Sequence, residues 1–70
     1  MEDYDVAVEV KKQIIEQKIA LFRNTLYDAM LDAKVAELLD NKQQISAATE
    51  RVKGLMKAID FLDQELIKLG

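Results

Sequence analysis

The spacing of apolar residues in the C-terminal part of the chain constrains the fold more than any other feature. They recur at alternating steps of three and four residues, giving Ile45, Ala48, Val52, Leu55, Ile59, Leu62, Leu66 and Leu69. A repeat of about 3.5 residues puts such side chains in one stripe of an α-helix and is typical of coiled coils. The pattern predicts a helix over about residues 42–68.

A matching stripe precedes it. The same alternation gives Ile15, Ile19, Phe22, Leu26, Ala29, Ala33 and Ala36, and it predicts a first helix over about residues 4–39. Traced backwards, the stripe meets Lys12 and weakens, so residues 1–10 are expected to be frayed or overhanging. A turn is expected at about residues 40–42, with Asp40, Asn41 or Ser46 as the N-cap of the second helix.

The two stripes match best when the chain folds back on itself. Folding around residue 41 brings residue i near residue 82 − i, so that large side chains meet at the open end and alanines meet at the turn. This favours an all-α, coiled-coil-like antiparallel hairpin. Ile and Val at one stripe position with Leu at the other also suit a parallel two-stranded coil, and that alternative stays open.

Composition and charge exclude several classes of function. The chain has no Cys and no His, so thiolate chemistry and the side chain that most often transfers protons near neutral pH are missing. Its net charge of −3 opposes phosphate binding, and nucleic acid is not an expected partner. The chain has no apolar run long enough to cross a membrane, and the acidic N-terminus does not resemble a signal peptide. A cytoplasmic protein is expected.

The chain carries more apolar surface than one hairpin can bury. Tyr27, Leu31, Val35, Leu38 and Phe61 lie off the two stripes. Leaving all five in water forgoes on the order of 10 kcal/mol, which is comparable to the whole stability of a typical domain. The sequence therefore predicts a homo-oligomer, most simply two hairpins in a helical bundle. The predicted interface residues are Ile15, Ile19, Phe22, Leu26, Leu31, Leu55, Ile59, Leu62 and Leu66.

Other residues offer little chemistry. Asp28 with Asp32, and Asp60 with Asp63, form carboxylate pairs on one helix face, but we expect solvated pairs, with no metal, no cofactor and no catalytic residues. A protein that binds a small anionic ligand at a subunit interface, near Arg51 and Lys57, is a remaining alternative. Gly54, inside the second helix, is interpreted as a place where another helix approaches closely, with a kink or a ligand contact as alternatives.

Residues 50–62 combine a basic and an apolar residue before Gly54, then an alanine–apolar step and a closing Leu62. They follow a long first helix ending in Ala36-Glu37-Leu38. This pattern resembles that of short bacteriophage-encoded helical proteins. The resemblance implies a small accessory protein, located in the host cytoplasm or the virion and in some cases acting in assembly or morphogenesis.

Taken with the apolar surplus, these features predict a non-enzymatic, homo-oligomeric interaction or structural protein. Its partners would be further copies of itself and a larger protein assembly. The alternative is a small regulator or inhibitor that binds a host protein through an apolar helix face.

Overall fold

The chain folds into two helices joined by a tight turn. The computed structural model describes residues 6–70, with α1 at Val8–Leu38 and α2 at Lys42–Leu69. The helices contact each other along their length, and because only three residues join them they run antiparallel. No strand occurs in residues 6–70. The predicted all-α hairpin is confirmed, and the parallel pairing within one chain is excluded.

The start of α1 differs from the prediction. The helix was expected to begin at about residue 4, but Val6 and Ala7 are not helical and α1 begins at Val8. Ala7 is the N-cap, and because its side chain has no acceptor, only its backbone carbonyl contributes, accepting from the N–H of Lys11 at 3.0 Å. Residues 8–10 were expected to fray and are instead helical; residues 1–5 lie outside the described residues.

The turn satisfies the last carbonyls of α1 through one left-handed residue. Asp40 has a φ of 53°, and its N–H donates to Glu37 O at 3.1 Å. The next N–H, of Asn41, reaches back to Ala36 O at 3.0 Å. This pair of hydrogen bonds is the Schellman motif, in which glycine or asparagine is usual at the left-handed position. Here aspartate occupies it, at some cost in backbone strain.

Asn41 ends one helix and starts the next. Its side-chain Oδ1 accepts a hydrogen bond of 3.1 Å from the Gln44 N–H, and it is the N-cap of α2. Of the predicted cap residues, Asn41 is therefore the one used. Asp40 cannot cap α2, because its left-handed backbone is needed to close α1 and an N-cap requires an extended one.

The core is the thin seam between the helices. Every residue of the two predicted stripes is buried or half-buried, and the most buried are Ile19, Ala29, Ala36, Ala48 and Leu62. Three of these are alanines near the turn, as the predicted small-to-small contact requires. The register also agrees with the prediction, since Arg23 lines a groove with Ile59, and Ala33 lines another with Thr49.

The hairpin is a rod rather than a globule. It measures 50 × 17 × 17 Å, with a radius of gyration of 15.9 Å. A compact domain of 70 residues has a radius of gyration of about 11 Å. Because a rod one helix pair thick has no interior beyond its seam, every apolar side chain off the seam lies on the surface.

Candidate protein-interaction surface

The structure divides the nine predicted interface residues into two groups. Leu31 lies on the outside of α1 with 46% of its surface exposed. The other eight contribute to the seam between α1 and α2 of one chain: Ile15, Ile19, Phe22, Leu26, Leu55, Ile59, Leu62 and Leu66. Their first role is therefore to hold the hairpin together, and a further role between chains stays a prediction.

A second stripe runs along the opposite side of α1. We call it the outer seam, and it consists of Val10, Ile14, Gln17, Leu21, Asn24, Asp28, Leu31, Val35 and Leu38. All of these residues are exposed, and they follow one another at alternating steps of four and three residues, as the inner stripe does. At about 3.5 residues per turn, the outer seam lies about 150° around the helix from the inner one. Helix α1 thus has two coiled-coil faces, one of them unpartnered in a single chain.

The outer seam is apolar at both ends and polar in the middle. Val10, Ile14 and Leu21 lie towards the open end of the hairpin, while Leu31, Val35 and Leu38 lie towards the turn. Leu38 is 85% exposed, the highest value among the large apolar side chains of the described residues. The sequence interpretation noted the half near the turn and missed the other half, although the same spacing continues through it.

Neighbouring apolar residues widen this surface. One groove of about 510 Å³ lies between the two helices on one flank of the hairpin, and its lining includes Val35, Leu39 and Ala47. In the observed register, Phe61 of α2, which is 60% exposed, lies at the level of Leu21. The apolar surface therefore extends from the outside of α1 across to one flank of α2.

An ion-pair cluster lies within this surface. The Arg51 Nη1 atom is 3.6 Å from Asp32 Oδ2 and 3.9 Å from Asp28 Oδ2, so one guanidinium from α2 bridges two carboxylates one turn apart on α1. The sequence interpretation treated the aspartates as a solvated pair and Arg51 as part of a basic group. The fold-back arithmetic indicates the level of this contact, because it puts Arg51 opposite residue 31, but it does not give the side of α1 that Arg51 faces.

The other faces of the hairpin carry more charged and amide side chains. The outside of α2 carries Glu50, Lys53, Lys57 and Gln64, all exposed, and the Lys53 Nζ atom is 3.4 Å from Glu50 Oε2. The flank opposite the ion-pair cluster has grooves lined by Arg23, Asp60 and Asp63 among others. The apolar surplus thus lies mainly on the outer seam and the flank beside it. Tyr27 and Met30, neighbours on the other side of α1, are nevertheless 64% and 51% exposed, and Val8, Met56 and Ile67 are exposed as well.

Gly54 does not mark a close approach between α1 and α2. A Cβ atom built on it has no other atom within 4 Å, and α2 continues through it without a break. The closely approaching helix is therefore not α1, and α2 has no break; approach by a helix of another chain or by a ligand stays a prediction. The physical reason is that Gly54 lies off the seam between the two helices, on a flank of α2 that α1 does not reach.

Two further findings concern chemistry. No group of three or more potential ligands able to hold a metal ion occurs in residues 6–70. The Thr25 and Thr49 hydroxyls donate to carbonyls of their own helices, Leu21 O and Ile45 O.

Across residues 6–70, neither helix has an apolar stretch of the length needed to cross a membrane.

No protein-family model matches this chain, and comparisons with curated proteins and with solved structures found no significant match either.

Proposed function

We propose that this chain is a non-enzymatic structural protein that self-associates through the outer seam of α1 and serves as an accessory component of a larger protein assembly. The observation that carries the proposal is a second coiled-coil face, exposed at every position, on a helix whose first face is already used. A helix that is apolar on two opposite sides is normally buried on both.

The amount of exposed surface supports the same proposal. The chain exposes 5607 Å², whereas a compact monomer of 8.0 kDa exposes about 4,500 Å². The difference, about 1,100 Å², exceeds the roughly 800 Å² that each partner contributes to a standard protein interface. Association would cover surface that a chain this short cannot cover by folding alone.

The wider role is drawn from the pattern in residues 50–62. Its resemblance to short bacteriophage-encoded helical proteins supports a role in phage assembly or morphogenesis, in the host cytoplasm or the virion. The polar outside of α2 would then face the rest of the assembly while α1 lies inside the oligomer.

A charged side chain on the outer seam tests self-association directly. Leu31→Asp should lower the mass in sedimentation equilibrium to that of one hairpin, 8.0 kDa, because a carboxylate would be buried against the partner. Circular dichroism should still show helices, since Leu31 does not belong to the inner seam.

Met56→Asp is the matched control. Met56 is similarly exposed but lies on the flank opposite the ion-pair cluster, away from the outer seam, so this variant should keep the wild-type mass. An oligomer that survives Leu31→Asp would show that the outer seam is not the contact. A wild-type chain that is already a folded monomer would instead support the alternative function, a regulator that offers this surface to a different protein.

A further inference from the structure

We propose that the outer seams of two chains pair antiparallel, α1 against α1, around a two-fold axis. This inference rests on the proposed function and specifies its contact. The occupant of the outer seam is a second copy of the chain, since the seam has the step of a coiled coil and a two-fold axis makes one stripe its own complement.

The available area agrees with a second copy. The exposed fractions of the apolar outer-seam residues Val10, Ile14, Leu21, Leu31, Val35 and Leu38 correspond to roughly 600 Å² of apolar surface, and Leu39 and Phe61 beside the seam add about 200 Å², so the total is about one partner's share of a standard interface. Helix α2 offers no comparable stripe, because its outside is charged. The pairing must therefore run through α1.

The polar residues in the middle of the outer seam decide the orientation. In a parallel pair, each residue meets its own copy, so Asp28 would face the partner's Asp28. Arg51 does not remove this repulsion, because it is shared with Asp32 and lies closer to that carboxylate. Two clusters, each with two carboxylates and one guanidinium, would then lie at the same level along the helix axes and repel each other.

An antiparallel pair removes the conflict. The seam has two alternating rows of residues, and antiparallel packing sets each row against the other. Asp28 belongs to the row with Ile14, Leu21 and Val35, and it would face the row that contains Gln17 and Asn24. An amide can donate to a carboxylate, so in either of two registers Asp28 gains a hydrogen-bonding partner rather than a like charge.

Spin labels on α1 can measure this orientation, and the chain suits them because it has no cysteine. Three single-cysteine variants place a probe at the same heptad position and at three levels along the α1 axis. They are Gln13→Cys, Ala20→Cys and Lys34→Cys, each labelled alone. All three positions are exposed and lie off both seams. Double electron–electron resonance then reports the distance between labels on the two copies, and sedimentation checks that each labelled protein keeps the wild-type mass.

The two orientations predict different series of distances. If Asp28 faces Asn24, the axial separations are about 39, 18 and 24 Å for labels at 13, 20 and 34, because each residue adds about 1.5 Å. If Asp28 faces Gln17, they are about 29, 8 and 35 Å. In both registers the label at 20 gives the shortest distance, and the order of the other two identifies the register.

Equal distances at all three positions would show a parallel pair and overturn the inference while leaving self-association intact. Loss of inter-chain distances, together with a mass of 8.0 kDa for the unlabelled wild-type chain, would overturn both. Distances that are unequal but longest at position 20 would place the contact elsewhere than the outer seam.

Discussion

Replacing Gly54 by alanine tests whether the space beside this residue stays open in the assembled protein, as it is in one hairpin. Gly54 lies in the middle of α2, is exposed, and has open space where a Cβ would be. The only effect of Gly54→Ala inside one hairpin is therefore on backbone propensity. Alanine is better than glycine in a helix interior by about 0.8–1.0 kcal/mol.

That gain should be measurable. For a domain of this size, about 1 kcal/mol raises the melting temperature by roughly 4–8 °C. Urea unfolding followed by circular dichroism should give the same gain at a fixed chain concentration, which must be held constant because an oligomer's stability depends on it. The reverse change at a nearby half-buried position, Ala58→Gly, should lower stability by at least a similar amount.

A loss of stability in Gly54→Ala would contradict the open space beside this residue. It would mean that backbone from another copy occupies the space beside Gly54, so that α2 as well as α1 contributes to the contact between chains. A change in sedimentation mass with unchanged helix content would point to the same conclusion.

Three other changes, one of them with a control substitution, should act through separate parts of the hairpin. Asn41→Ala removes the side-chain acceptor that caps α2 and should destabilise the chain by about 1 kcal/mol in urea unfolding. Leu62→Ala opens the inner seam and should cost about 2–5 kcal/mol, whereas Ile67→Ala at an exposed position should change stability by no more than about 0.5 kcal/mol. Arg51→Met breaks the ion-pair cluster; the loss should stay below about 1 kcal/mol and shrink in high salt. An Arg51→Met loss that persists in high salt would show that the cluster is buried in the assembly.

Regular spacing made the pairing of the helices predictable. Steps of three and four residues locate the seam, and the match of large with large and alanine with alanine selects the antiparallel register that the structure has. The turn was equally predictable, because residues 40–44 are the longest run of polar residues in the sequence and separate the two stripes.

The misses arose where a residue's role depends on backbone geometry. Asp40 and Asn41 look like equal caps in the sequence, and only the left-handed backbone at Asp40 decides between them. The start of α1 had no cap signal, since the cap is Ala7. The rotation of the helices about their axes brings Arg51 to Asp32 and leaves Gly54 facing open space.

The mass of the wild-type chain in solution shows whether hairpins associate. Sedimentation equilibrium across micromolar concentrations should give at least two chains per particle, twice the 8.0 kDa of one hairpin, with the helix content intact. A stable, fully helical particle of 8.0 kDa at these concentrations would contradict self-association through the outer seam of α1.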